Sequence, residues 1–150
     1  MFLKMDGITG EARDDKHAEE IEVMSWSWGI QGSTDIATGQ ASAKARIGEL
    51  QIVKRVDLSS TTLMQFANYN KLVKEAKLTV RKAGKEPLEY LIMELTGVRV
   101  TAVKVESTKD ELVERVNLSF AKVLVTYTPQ LATGAGGKKR EFQADVFGHQ

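Results

Sequence analysis

The sequence predicts a mainly β fold of about eight or nine strands with one helix, arranged as a barrel or a sandwich. Three observations carry this reading. Apolar and polar residues alternate along most of the 150-residue chain, which is the period of strands. Only one stretch, 58–73, repeats at helical spacing. Short polar clusters with Gly or Pro punctuate the alternation as turns do.

Residues 2–6 open with a short strand, and a polar, acidic loop follows. The strand at 20–30, EIEVMSWSWGI, holds both tryptophans with one serine between them. Alternation assigns Met24, Trp26, Trp28 and Ile30 to one face and Ile21, Val23, Ser25 and Ser27 to the other. The tryptophan face is expected to pack in the core. A sugar platform or a base-stacking surface is the alternative such a pair offers, and the neighbouring Met24 and Ile30 favour packing. Residues 31–45, QGSTDIATGQASAKA, are small and polar without periodicity, a long loop of the kind that carries function. Leu50, Ile52 and Val56 begin the next strand.

Asp57, Ser59 and Ser60 are N-cap candidates for the helix. Leu63, Phe66, Ala67, Asn70 and Val73 form its stripe. Leu78 and Val80 then alternate with Lys77, Thr79 and Arg81. Residues 83–87, AGKEP, make a turn into a strand from Leu88 to Leu95, which Thr96-Gly97 is expected to end. The strand from Val98 to Val105 slips phase near Ala102-Val103, as at a bulge. Residues 107–111, STKDE, connect a hairpin. The longest strand is expected at 112–128, with Val116, Leu118, Phe120 and Leu124 on one face and Arg115, Asn117, Ser119 and Ala121 on the other. Lys122 is the exception on the apolar face, and the other turns apolar at Val123 and Val125. Thr128-Pro129-Gln130 ends it. A basic glycine-rich loop at 132–140 precedes a last strand at 141–147, which sets Phe142, Ala144 and Val146 against Gln143, Asp145 and Phe147.

Composition narrows the function classes. Hydrophobic residues are 42% and charged residues 27%, as in ordinary globular domains. There is no cysteine, which excludes disulfides, thiolate zinc sites and a cysteine nucleophile. The N-terminal MFLKMDGITG has no long apolar run and is read as neither signal peptide nor membrane anchor. A net charge of +1 argues against nucleic-acid binding. Charge is nevertheless uneven. Asp6, Glu11, Asp14, Asp15, Glu19, Glu20 and Glu22 crowd the N-terminal region, whereas Lys71, Lys74, Lys77, Arg81, Lys82 and Lys85 crowd a later one. These are either two solvated faces or complementary surfaces that meet between copies.

No catalytic constellation emerges. His17, among Asp14, Asp15, Glu19 and Glu20, could ligate a metal, but the segment reads as a loop of solvated charges. His149 lies beside the terminus. Gly134, Gly136 and Gly137 do not follow a strand and open a helix, as a phosphate cradle requires. No catalytic, cofactor or metal residue is assigned.

Four ordered blocks resemble the haemolysin-coregulated protein (Hcp) family, whose members form the inner tube of bacterial type VI secretion systems. They are Gly10-Glu11 through Ser25-Trp26-Ser27-Trp28-Gly29, Val56 to Ser60, residues 76–95 and residues 114–130. The last strand departs from the pattern, with Phe142-Gln143-Ala144-Asp145 where many members carry a Gly-Trp segment. The resemblance implies a single tube domain over 1–150, a two-sheet β-barrel with one α-helix on its side. It implies a six-membered ring, rings stacked into a hollow tube, and no enzymatic activity or cofactor. The implied partners are further copies of the chain, a tip spike protein, a sheath and effector proteins, with no nucleic acid and no membrane insertion. The implied location is the bacterial cytoplasm before assembly, with secretion that needs no cleaved signal peptide. A phage-tail-tube-like protein of a related contractile injection system and a small secreted binding module are the alternatives. With one sheet's outer face turned to the lumen, alternation makes Ser25, Ser27, Asn117 and Ser119 lumen or cargo candidates. Gly32, Ser33, Thr34, Asp35, Thr38, Gly39, Gln40 and Ser42 are ring-stacking candidates.

Overall fold

A computed structural model describes residues 1–32, 45–82 and 87–147. Strands come in the order β1 (Phe2–Met5), β2 (Ile21–Glu22), β3 (Ser25–Ser27), β4 (Ile30–Gln31), β5 (Arg46–Ile47) and β6 (Leu50–Arg55). The helix α1 (Ser60–Asn68) follows, then β7 (Leu72–Arg81), β8 (Glu89–Ser107), β9 (Leu112–Ser119), β10 (Lys122–Tyr127) and β11 (Arg140–Asp145). Among the described residues the structure shows the predicted mainly β architecture with one helix.

The strand path runs β2-β1-β7-β8-β9-β6-β3, with β10 and β11 attached alongside β8. Its two end strands, β2 and β3, are consecutive in sequence but do not pair, so the ladder is barrel-like without closing. Strands β4 and β5 form a separate two-stranded ribbon. One core joins both ends of the path. Leu3, Leu78, Met93 and Leu95 come from one half, Leu50, Ile52, Val116 and Leu118 from the other, and Leu63 and Phe66 from α1.

The spine of the fold is a long hairpin. The N-terminal half of β8 pairs with β7 on one edge and β10 on the other, while its C-terminal half pairs with β9. The pairs Thr96↔Lys122 and Arg99↔Ser119 keep one register, so β9 and β10 lie in line along the same edge of β8. Between them, the Ala121 N–H donates to the carbonyls of Thr96 and Gly97 at 2.9 and 3.2 Å. Gly97 has φ +66, and a Cβ there would sit 3.1 Å from the Ala121 Cβ. Thr96-Gly97 therefore does not end the strand; it kinks one continuous strand. The expected strand 112–128 is correspondingly interrupted at Phe120-Ala121. That bend resets the alternation, so the buried series runs Val116, Leu118, Phe120 and then Val123 rather than Leu124. It also explains why Lys122 broke the pattern. The bulge predicted near Ala102 is present, since Val100 pairs with Leu118 but Ala102 with Asn117, leaving Thr101 extra.

Other expectations shift for local reasons. The single strand at 20–30 is three short ones. The phase slips after Val23, where the chain leaves β1 and joins β6 through the Met24 N–H to the Val53 carbonyl at 2.8 Å. Ile21 and Val23 are thus in the core, contrary to their assigned face. Met24 and Ile30 are exposed, while Trp26 and Trp28 are partly buried against the core. The helix spans Ser60–Asn68 and not 58–73, because Asn70 turns left-handed with φ +52. Ser59 occupies the N-cap without a side-chain cap bond; its N–H and hydroxyl instead donate to Asp57 Oδ1 at 2.8 and 2.5 Å. Val73 is buried, but on β7. Val56 lies just beyond β6 and is exposed, as is Phe142 on the terminal strand. Turn residues 83–86 and His149 lie outside the described residues.

Candidate functional site

The outer face of the β3-β6-β9 region follows from alternation against the core. Leu50, Ile52 and Lys54 of β6 point inward with Glu114, Val116 and Leu118 of β9. Gln51, Val53, Arg115 and Asn117 therefore point outward. Register then sets cross-strand rows. Ser27 opposes Gln51, Gln51 opposes Asn117, and Asn117 opposes Ala102. Beside it, Ser25 opposes Val53, Val53 opposes Arg115, and Arg115 opposes Lys104.

The structure thus brings Ser25, Ser27 and Asn117 onto one face, with both serines exposed. Ser119 follows Asn117 at the end of β9 and lines a cavity of about 210 Å³ with Gly48, Glu49, Phe120 and Phe147. The first row is neutral and polar. Gln51 Nε2 donates to Asn117 Oδ1 at 3.1 Å, fixing two amides beside the serine hydroxyl. Charge flanks it on both sides: Arg115 Nε pairs with Glu106 at 3.1 Å beside Lys104, and Glu49 accepts from the Thr101 hydroxyl at 2.8 Å. Gln51 is the residue that sequence reasoning missed. Alternation with Leu50 and Ile52 already marks it as outward, but its partner strands cannot be read from one sequence. Of the stacking candidates, Gly32 is exposed at the end of β4. Ser33, Thr34, Asp35, Thr38, Gly39, Gln40 and Ser42 lie outside the described residues.

Two polar clusters were not anticipated. His17 is 7% exposed and not a solvated loop residue. Its Nδ1 lies 2.9 Å from Glu20 Oε1 and its Nε2 lies 2.6 Å from Glu89 Oε2. The imidazole stacks on Phe2 at 4.6 Å, and Arg81 lies 5.1 Å from the centre of that same ring. Arg81 also grips Asp14 with bonds of 2.5 and 3.1 Å. The acidic and basic segments therefore meet within one chain at this point. The guanidinium's hydrogen bonds, aided by the Lys16 N–H, hold the Asp14 carboxyl down at about 2. The second cluster lies under α1. Lys54 and Glu114 are both fully buried and paired, and Lys54 Nζ also reaches Asp57 at 2.9 Å and Ser60 at 3.3 Å. Their presence at core phase in LQIVKR and LVERVNL was a readable signal, because a buried charge demands a partner. Among the described residues no group of three or more His, Cys, Asp or Glu side chains is placed to hold a metal ion.

The family model described as "Type VI secretion system effector, Hcp" matches residues 2–127. The chain belongs to the Hcp family. It is 42% identical over 140 residues to Protein hcp1 of Pseudomonas aeruginosa, covering 90% of this chain and 86% of that one. The crystal structure of Hcp1 from Salmonella typhimurium is 34% identical, with a TM-score of 0.80 over 99% of this chain and 95% of that one. A type VI secretion system effector from Yersinia pestis is 27% identical, with a TM-score of 0.79 over 97% and 98% of the two chains. These Hcp relatives agree with the fold and link this chain to type VI secretion. No helix among the described residues is long and apolar enough to cross a membrane.

Proposed function

We propose that this Hcp chain is a structural tube subunit, one domain over 1–150, that closes into six-membered rings which stack into a hollow tube. The tube, with its tip spike and effectors, leaves the cytoplasm through a sheath-driven secretion system without a cleaved signal, and the chain itself catalyses nothing. The observation that carries this beyond family membership is the outward row Ser27–Gln51–Asn117. Small neutral polar side chains suit the wall of a conduit, because they offer hydrogen bonds to a passing protein without an apolar surface to hold it fast. Ser25 and Ser119 extend the same wall. The ring closes through heterologous contacts between copies.

Negative-stain microscopy and sedimentation of the purified protein test the assembly. Annular particles are expected, and a strictly monomeric species at micromolar concentration overturns it. Ser27→Gln tests the wall. The ring should persist while effector co-purification falls; unchanged retention removes Ser27 from the wall, and loss of the ring moves it to a subunit interface. Shortening 32–42 should leave rings closed but stop tube growth, with normal long tubes as the contrary result. High salt should weaken stacking more than closure if stacking relies on exposed ion pairs.

A further inference from the structure

The His17 cluster has a chemistry of its own. Ionised carboxylates only accept hydrogen bonds. Both ring nitrogens of His17 face one, Glu20 at Nδ1 and Glu89 at Nε2. Both contacts are hydrogen bonds only when both nitrogens carry protons, as in the imidazolium. A neutral ring donates to one carboxylate and turns a lone pair toward the other. His17 itself is 7% exposed, so water does little to satisfy its ring nitrogens. What the ring helps fasten is the loop 8–20, whose backbone hydrogen bonds run mainly within the loop. The Gly10 N–H donates to the Glu19 carbonyl at 2.7 Å, and the Glu19 N–H donates back to Ala12 at 2.8 Å. Ile8 anchors the loop in the core and His17 stacks on Phe2. Its side-chain hydrogen bonds to the rest of the fold are the His17–Glu89 contact on β8, the Asp14–Arg81 pair on β7, and Glu11 Oε2, which accepts from the Leu58 N–H at 2.5 Å.

We propose that His17 is a proton-dependent latch, closed as the imidazolium and loosened as pH rises, that controls how firmly the loop 8–20 is held on β1 and the start of β8. The charged groups facing the ring are Glu20 from its own loop and Glu89 from β8, with Asp14 and Arg81 nearby across Phe2. Arg81–Asp14 does not mimic the effect. Its carboxyl, held at about 2, stays ionised throughout the range in which histidine changes charge. Losing one charge-assisted bond weakens the latch, and the remaining bond keeps the loop in place.

The test is amide hydrogen exchange of the full chain from about pH 5 to about pH 10, wide enough to span the charge change of histidines in folded proteins, corrected for intrinsic exchange. The reporters are the amides of His17, Glu19 and Glu20, all hydrogen-bonded within the loop. Their opening equilibrium should rise about tenfold or more across this range, the factor that one lost charge-assisted hydrogen bond corresponds to. The core amides of Leu78 and Met93 should not follow. Glu89→Gln should flatten the dependence while the loop stays closed, because an amide accepts from the imidazolium through its oxygen and donates to the bare nitrogen of the neutral ring through its NH2. His149→Gln should leave it unchanged, since these are the only two histidines in the chain. A pH-independent wild-type loop overturns the proposal, and so does a Glu89→Gln variant that keeps the wild-type dependence.

Discussion

Replacing Lys54 with methionine should cost about 3–5 kcal/mol of stability, the penalty for stranding a buried charge. Lys54 and Glu114 are 0% exposed and paired on facing strands. Without the ammonium, Glu114 Oε1 keeps only the Ser60 hydroxyl at 2.8 Å, and Oε2 is buried with no partner at all. The reverse deletion is milder. In Glu114→Leu the ammonium keeps Asp57 at 2.9 Å and Ser60 at 3.3 Å, so the cost should be about 1–3 kcal/mol. The double variant Lys54→Met with Glu114→Leu replaces the pair by apolar side chains and should cost only about 0–2 kcal/mol, well below the sum. Urea unfolding at one fixed protein concentration measures all four chains. If the two single costs simply add in the double variant, or if Lys54→Met costs less than about 1 kcal/mol, the two groups are not a coupled buried pair and the reasoning fails.

Three further outcomes are expected. Trp28 is partly buried and its indole donates to the Gly48 carbonyl at 2.9 Å, so Trp28→Phe should lose about 0.5–1.5 kcal/mol by thermal unfolding. Trp28→Ala should lose more but stay below the about 3–5 kcal/mol of a fully buried aromatic, and a loss in that range would place Trp28 in the core. Gly97→Val should destabilise the hairpin by at least about 1 kcal/mol, because φ +66 is strained for a β-branched residue and the Ala121 Cβ is close; an unchanged melting temperature would remove the kink as a requirement. The Asp14 carboxyl is lowered in the fold from 3.8 to about 2, so its stabilisation is present above pH 3.8 and is lost as pH falls toward 2. Acid unfolding of Asp14→Asn should therefore be less steep across that window than wild type, and equal steepness would show that Arg81 does not hold the carboxylate.

The hairpin shows how much of this fold was legible in the sequence. The bulge near Ala102 was readable because a one-residue slip moves the apolar residues to the other face. The continuity of β8 through Gly97 was not, because whether glycine ends or bends a strand depends on its opposite residue, here Ala121, which pairing alone supplies. The tryptophan strand misled for a related reason. Its alternation is regular in sequence, but the chain changes partner from β1 to β6 after Val23, and a change of partner resets the phase. The outward orientation of Ser25 and Ser27 was legible because they alternate with Trp26 on one local strand, and alternation needs no distant information. Gln51, Glu114 and Glu89 act through partners 66, 60 and 72 residues away in the chain, and no local pattern reports such distances.

The kinked hairpin also favours one order of events during folding. Ser107 and Leu112 close it across a short turn, and each further pair down to Leu91 and Tyr127 adds to a contact already made. Such local zipping is fast, whereas joining distant segments carries the entropy of closing a long loop. Strand β1 is the opposite case. Phe2–Met5 pairs with residues 76–79, so the first strand to leave the ribosome has no β7 partner until about half the chain exists. When the complete chain refolds, the local hairpin is expected to form first and β7 and β6 to add to its edges, whereas β1 must close the long loop between Met5 and Ala76, so the β1 edge of β7 is the one left open longest to a wrong partner.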